Sequence, residues 1–316
     1  MDKKELVAML NKDLADEHAS VIRYLIHAYQ VGEDSPLGSM LLSTAREEMW
    51  HMDWLADEIG EMGAEPEMRQ GVYPHDPTSH ASLLRSYVEW ESGLVKAYAE
   101  QAEKVDSPEI KRILMQQSHE SGTHQRRFEK WLAKLGAEGS EPLVYEDTGA
   151  FSAQMTGRLR DEMTDEYKLV LQHLRHSFVF EDENCPVGSE LELTAMRHMK
   201  HLSYFAEELA ESGHDLEFVH PTIDTSTSVD AAIKSDVELT HAARERFATL
   251  SQDPELEKHA GLKIEVDNMI SQEEFLASTV EGLLEETPEP EPSEEPQEPP
   301  DRSSLGDFTV GSLLNK

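Results

Sequence analysis

A glutamate and a histidine three positions apart, Glu48 and His51, fall on the inward face of a predicted helix. Residues three apart share one face because an α-helix turns once in about 3.6 residues. The apolar residues of that face recur at steps of three and four between Leu37 and Met62. A buried carboxylate beside a buried imidazole is costly unless the two are paired or bind a metal ion. The spacing therefore predicts a metal-binding site inside a helical protein.

Three further polar side chains occupy positions where the helical pattern predicts apolar ones. Glu17 interrupts the apolar stripe of a helix predicted over 3–31, and Glu91 that of a helix predicted over 79–105. His124 has the same place on the helix that follows. One inward glutamate alone is weak support, because a partly exposed position explains it. Several of them on successive helices favour one shared site.

The spacing of these residues repeats between two helical hairpins. Glu17 precedes Glu48 by 31 residues and His51 by 34, while Glu91 precedes His124 by 33. Polar groups at matching heights on paired helices predict that all five side chains converge in a bundle. Carboxylates and imidazoles suit iron, and manganese or zinc are alternatives.

The composition predicts an acidic, all-α protein. The chain has 316 residues, a formal net charge of −36 and one cysteine. Such a charge argues against binding to nucleic acid and to anionic membranes, because both would repel the protein. A single cysteine excludes an intrachain disulfide and a four-cysteine iron centre in this chain. The scarcity of cysteine favours a cytoplasmic protein. No apolar run is long enough to predict a transmembrane helix, and a homo-oligomer is possible.

The first half of the chain resembles a known family. The similarity to bacterioferritins and rubrerythrins is carried by residues 10–17 with Tyr24, by Glu48-Met49-Trp50-His51, and by residues 91–98 with Pro108. It covers about residues 1–136 and implies a ferritin-like four-helix bundle with a di-iron centre. The resemblance implies that the metal ligands and catalytic residues are Glu17, Glu48, His51, Glu91 and His124.

Two positions depart from the family or need weighing. Where the family has a sixth ligand, a glutamate, this chain has Ser121. Either the adjacent Glu120 reaches the metal instead, or one metal ion is held weakly. In bacterioferritins a methionine at the place of Met49 binds haem. A core or interface methionine is the favoured interpretation here, so haem is not expected.

The pattern returns about 150 residues later. Asp165-Glu166 aligns with Asp16-Glu17, and residues 194–201 align with 44–51. We therefore predict two tandem ferritin-like four-helix bundles, over residues 1–136 and 150–285, that arose by internal duplication.

The ligand set of the second half has diverged. His198 replaces the glutamate of the motif, Thr240 stands where Glu91 would fall, and Asp267 and Ile270 align with Ser121 and His124. Glu166, His198 and His201 can still bind one metal ion. A degenerate bundle with a structural role is the favoured interpretation.

The end of the chain changes in composition. Residues 286–303 are rich in proline and glutamate, which predicts a stiff disordered linker. The partly apolar segment 304–316 that follows is typical of a docking peptide. Its residues 309–313 resemble the cargo-loading peptide of encapsulin nanocompartments. The resemblance implies that an encapsulin shell protein encloses the chain and binds Leu305, Phe308, Thr309, Val310, Gly311, Ser312 and Leu313. The alternative is a tail that folds back on the bundle.

These features together predict an encapsulin cargo protein whose first bundle is a di-iron ferroxidase. It would oxidise Fe²⁺ for iron storage and mineralisation inside the shell. One alternative is a rubrerythrin-like peroxidase for oxidative-stress defence. The other is a non-catalytic, metal-binding adaptor.

Overall fold

A computed structural model describes residues 1–136, 138–180 and 187–286. These ranges contain eight α-helices and no β-strand, so the predicted all-α fold is confirmed. The helices are α1 Lys3–Gln30, α2 Pro36–Glu61, α3 His80–Ala102, α4 Pro108–Leu135, α5 Ala153–Phe180, α6 Val187–Glu211, α7 Val229–Ser251 and α8 Ala260–Glu286. None of them has an apolar stretch of the length that a membrane crossing needs. Almost all of the predicted linker and the whole docking peptide lie outside the described residues.

The helices that carry the predicted ligands start and end at sequence-coded caps. At α2 the Ser35 side chain accepts a backbone N–H of the first turn, and Pro36 takes the first helical position. Ser107 and Pro108 do the same at α4. α4 ends at Gly136, whose φ of +58° favours glycine. These caps fix the register at which each ligand faces inward.

The eight helices form two sets of four that share one core. Consecutive helices pair within each half, α1 with α2, α3 with α4, α5 with α6, and α7 with α8. The halves join where α1 and α2 contact α6 and α5. One apolar cluster runs from Leu10 and Leu55 to Phe205 and Phe247, and Met49 packs against it. Burial of this common core fixes the two halves against each other.

The two halves have helices of closely matching length. α1–α4 contain 28, 26, 23 and 28 residues, and α5–α8 contain 28, 25, 23 and 27. An internal duplication would produce this correspondence, and the duplication stays a prediction from the sequence.

A buried imidazole on α1, His27, makes the stability of the fold depend on pH. Its ring nitrogens share hydrogen bonds with His80 Nδ1 at 2.9 Å and with the Tyr87 hydroxyl at 3.1 Å. Burial, reinforced by the charge of His80, lowers the pKa of His27 from 6.5 to about 3. Between these two pH values, His27 is therefore protonated in the unfolded chain but neutral in the folded protein.

We expect the protein to lose stability as the pH falls from about 6.5 toward about 3, because protonation of His27 favours the unfolded chain. At about 1.4 kcal/mol per pH unit, this residue alone removes roughly 2 kcal/mol by about pH 5. Urea unfolding of the wild type and of His27→Phe at several pH values measures the effect. The wild-type curve should fall more steeply with acid, and parallel curves would contradict the assignment.

Candidate metal centre

The structure brings the five predicted ligands together between the first four helices. Glu17 comes from α1, Glu48 and His51 from α2, Glu91 from α3, and His124 from α4. All five are fully buried. Helical periodicity therefore directs them to one point in the bundle interior.

Glu48 lies at the middle of this centre. Its Oε2 is 2.8 Å from His51 Nδ1, and its Oε1 is 2.8 Å from His124 Nδ1. Glu17 Oε1 is 3.6 Å from His51 Nδ1, and Glu91 Oε1 is 3.8 Å from His124 Nδ1. The ligand atoms thus form two triads that share Glu48, and within each triad they lie within 4.8 Å of one another. A carboxylate shared by two triads is the arrangement of a two-metal site with a bridging ligand.

The outer ring nitrogen of each histidine is hydrogen-bonded to a carboxylate outside the triads. His51 Nε2 donates to Glu120 and His124 Nε2 donates to Glu47, both at 2.7 Å. Arg127 in turn donates to Glu47 at 3.0 Å. Because Nε2 of each imidazole donates to an outer carboxylate, Nδ1, which faces the shared carboxylate, is the nitrogen that could bind a metal ion after losing its proton.

Glu120, predicted as a metal ligand, has a different place. It lies beyond the outer edge of the His51 ring, with its side chain 32% exposed. One helical residue corresponds to a rotation of about 100°, so the neighbour of inward Ser121 points to the side of the bundle. Glu120 therefore belongs to neither triad; it accepts a hydrogen bond from His51 and orients that ring. Glu47, which has the same role at His124, was not singled out from the sequence.

Two tyrosines donate hydrogen bonds to Glu17 and Glu91, the terminal carboxylates, each of which belongs to one triad only. Tyr24 donates to Glu91 Oε1 at 2.5 Å, and Tyr98 donates to Glu17 Oε1. The Oε2 atom of each glutamate makes no hydrogen bond. Each tyrosine follows a ligand glutamate by seven residues in the sequence, yet it bonds the glutamate of the other helix. The repeated spacing indicates that the tyrosines belong to the site, but each one bonds the glutamate of the other hairpin.

Burial and mutual repulsion shape the charges at the centre. Burial disfavours the charge of Glu48, but His124 and His51 prevail and hold the pKa of Glu48 below its usual range. Burial and the Glu48 charge raise the pKa of Glu17 to about 6 and that of Glu91 well above its ordinary value. Against burial, the Glu48 carboxylate raises the pKa of His124 to about 10. Protons on the glutamates and histidines thus offset the negative charge of the centre, and bound metal ions would take over this role.

The donor atoms fit a pair of metal ions. Glu17 Oε2 and Glu91 Oε2 are buried and make no hydrogen bond, while both Glu48 oxygens and the Nδ1 atoms of His51 and His124 have other members of the centre as their close polar partners. Leaving a buried polar atom unbonded costs about 1–3 kcal/mol, a cost that metal ions bound by the two triads would offset. Ser121 is also buried, with an unbonded hydroxyl. Among the described residues, the bridging role therefore falls to Glu48.

The second set of helices gathers a smaller group. Glu166 from α5, His198 and His201 from α6, and Glu273 from α8 are buried, and their ligand atoms lie within 4.8 Å of one another. Thr240 is buried as well, but its hydroxyl donates to the Asp236 carbonyl at 2.9 Å.

The α8 member of this group, Glu273, corrects the sequence alignment. Asp267, which was aligned with Ser121, is 47% exposed and binds Lys263 and Ser251. Glu273 stands 149 positions after His124, the same offset that relates Glu166 to Glu17. Applying that offset to α8 would have identified it.

We expect Glu120→Ala to weaken metal binding at the triad that contains His51 by about 10–100-fold, the usual effect of losing a carboxylate behind a histidine ligand. The second triad should keep its affinity, because Glu47 still holds His124. Anaerobic titration with Fe²⁺ or Co²⁺ measures both steps. Glu129→Ala, on the exposed side of α4, is the matched control. Complete loss of one ion would instead make Glu120 a direct ligand.

Comparison with known proteins finds a similarity over the first four helices. Residues 7–137 match the family model described as a ferritin-like domain. No curated protein and no solved structure matches the chain. The first set of helices is thus a ferritin-like helical domain with buried groups suited to metal.

Proposed function

Because residues 7–137 form a ferritin-like domain, we propose that the first four helices bind two iron ions and oxidise Fe²⁺ to Fe³⁺. The observation that carries the proposal is the Glu48 carboxylate, whose two oxygens lie 2.8 Å from His51 Nδ1 and His124 Nδ1. Glu17 and Glu91 complete one triad each. Elemental analysis of the purified protein shows whether the bound metal is iron, manganese or zinc, which bind to similar ligands.

The residues of the centre divide the work of this reaction. Two bound ferrous ions supply one electron each, enough to reduce O₂ to H₂O₂, or H₂O₂ to water, with two protons taken up. Three carboxylates favour the more highly charged ferric product. Tyr24 and Tyr98 fix one oxygen of each terminal glutamate and leave the other available. Glu120 and Glu47 accept a hydrogen bond from Nε2 of each imidazole, which leaves Nδ1 as the nitrogen that would give up its proton to bind iron.

Iron titration and rapid mixing test the oxidase. Anaerobic Fe²⁺ should bind to the first centre at about two ions per chain, as in bundle di-iron proteins. Stopped-flow mixing with O₂ or with H₂O₂ then follows ferric absorption. Faster oxidation by H₂O₂ without retained iron favours the peroxidase, whereas binding without oxidation by either oxidant favours the non-catalytic adaptor. Absence of Fe²⁺ binding refutes the proposal.

A role as encapsulin cargo is the second part of the proposal. Its support is the sequence Thr309-Val310-Gly311-Ser312-Leu313 near the C-terminus, which follows an acidic, proline-rich stretch. A short apolar peptide on a long tether is suited to docking on a partner without constraining the bundle. Iron oxidised by the enclosed protein would then mineralise in the lumen of the shell.

Co-expression with an encapsulin shell protein tests the cargo role. Purified shells should contain the full chain and lack a chain truncated before residue 304. The full-length Glu48→Ala variant is the control, because it keeps the peptide and should still be enclosed. Equal packaging of the truncated chain would refute docking through residues 304–316.

A further inference from the structure

The second set of four helices contains the most informative group that the proposed oxidase does not use. We propose that Glu166, His198, His201 and Glu273 bind a single divalent transition-metal ion of the zinc class, in tetrahedral geometry. This site is independent of the oxidation proposed for the first centre. It differs from that centre in the number of ions and in the ligand set.

The distances between the donor atoms fit one tetrahedral ion. His198 Nδ1 lies 2.9 Å from Glu166 Oε2 and 3.6 Å from Glu273 Oε1. His201 Nδ1 lies 3.5 Å from Glu166 Oε2 and 2.9 Å from Glu273 Oε1. Metal–ligand bonds of about 2.0–2.1 Å in tetrahedral geometry separate the ligand atoms by about 3.4 Å. The four separations lie on both sides of this value.

Unbonded atoms point to a cation at the same place. Glu273 is fully buried; its Oε2 makes no hydrogen bond, and its Oε1 faces the two imidazoles of the group. His201 Nδ1 is also buried and faces the carboxylates of Glu166 and Glu273. Its other nitrogen, Nε2, bonds Gln272 Oε1 at 3.0 Å, which repeats the role of Glu120 behind His51. A buried carboxylate with one oxygen left unpaired is unfavourable, and a cation bound at this place would pair with it.

The substitutions between the two halves favour one ion over two. His198 takes the place of Glu48, so the carboxylate that bridges two triads in the first centre is replaced by an imidazole. Thr240 takes the place of Glu91, whose carboxylate completes the second triad. Two carboxylates and two neutral imidazoles balance one divalent ion, and a second ion would leave excess positive charge in the interior.

The two oxygens of Glu166 face different partners. Oε2 faces both imidazoles, while Oε1 lies 3.7 Å from Arg246 Nη2. Arg246 also contacts Glu162 and Asp165, each at 3.1 Å from its Nε, and lines an open cleft with them. The guanidinium therefore orients Glu166 from the solvent side and leaves Oε2 for the ion. Two imidazoles and two carboxylates form a donor set that suits Zn²⁺.

Cobalt titration of the full-length Glu48→Ala protein tests the site, because this background lacks the shared ligand of the first centre. We expect one Co²⁺ per chain, with the intense visible absorption of tetrahedral cobalt, displaced by one Zn²⁺. Glu273→Gln and His198→Gln in the same background should abolish that absorption. Glu274→Gln, an exposed neighbour on α8, should leave it unchanged.

Three results would overturn the proposal: no Co²⁺ bound, weak absorption typical of six-coordinate cobalt, or binding that survives Glu273→Gln. Elemental analysis of the protein with an intact first centre is a second measurement that does not require Glu48→Ala to fold. In that protein, Glu273→Gln should lower the metal content by one ion per chain. If the first centre binds no metal, the wild type should still contain one ion, and Glu273→Gln should remove it. The two proposals therefore fail in distinguishable ways.

Discussion

Replacing Glu48 by glutamine is expected to remove both ions of the first centre, whereas Glu17→Gln removes one. Glu48 serves both triads, and its two oxygens face different imidazoles at 2.8 Å. An amide has a similar shape but one oxygen and no charge, so neither triad keeps an anionic bridge. We expect a loss of affinity above about 100-fold, which exceeds the usual effect of removing an outer hydrogen-bond partner. Anaerobic Fe²⁺ titration with elemental analysis measures the number of ions retained.

The matched control for this substitution is Glu89→Gln on α3. Glu89 is exposed and lies two residues from Glu91, on the other side of its helix. The Glu89→Gln substitution therefore removes one negative charge from the protein without changing any contact of the centre. Retention of one ion by Glu48→Gln would show that the two triads do not depend on a shared bridge. Far-ultraviolet circular dichroism shows that the helices are intact.

The inward position of the five predicted ligands could be predicted because helical periodicity decides which residues face inward. Glu17, Glu48, His51, Glu91 and His124 interrupt apolar stripes, and the structure places each one where its stripe points. The partners behind the ligands were not accessible in this way. Glu47 is half-buried at the edge of the bundle, and its role depends on which helix lies opposite, a relation that sequence spacing does not specify.

The second group shows a different limit. α8 carries large apolar residues on its exposed side, Ile264 and Phe275, at 59% and 58% exposure. They blur the stripe, so the face that contains Glu273 cannot be recognised from periodicity. The connection before α8 is also longer than the one before α4, 252–259 against 103–107, yet the offset of 149 is kept at Glu273. Ligand spacing is preserved because the interior is fixed by packing, while loop length varies freely.

The contact between the two halves was not predictable, because its members are far apart in the sequence. Arg175 on α5 is fully buried, which is uncommon for arginine and requires paired groups. Its Nε and Nη2 donate to the two oxygens of Glu65, at 2.8 and 2.6 Å. Nη2 also donates to the Thr225 carbonyl at 3.0 Å, and Nη1 donates to the Ser226 carbonyl. One guanidinium therefore ties the α2–α3 connection to the α6–α7 connection across α5.

Arg175→Met is accordingly expected to lower the free energy of unfolding by roughly 3 kcal/mol, the lower end of the effect of breaking a buried ion pair. Methionine fills much of the volume but leaves two carbonyls without donors. Glu65, whose side chain is 44% exposed, can recover water, which keeps the loss from being larger. Glu65→Gln should cost less, because the guanidinium still satisfies Thr225 and Ser226. Urea unfolding measures all three proteins, and a Met variant as stable as the wild type would mean that packing of the shared core alone joins the two halves.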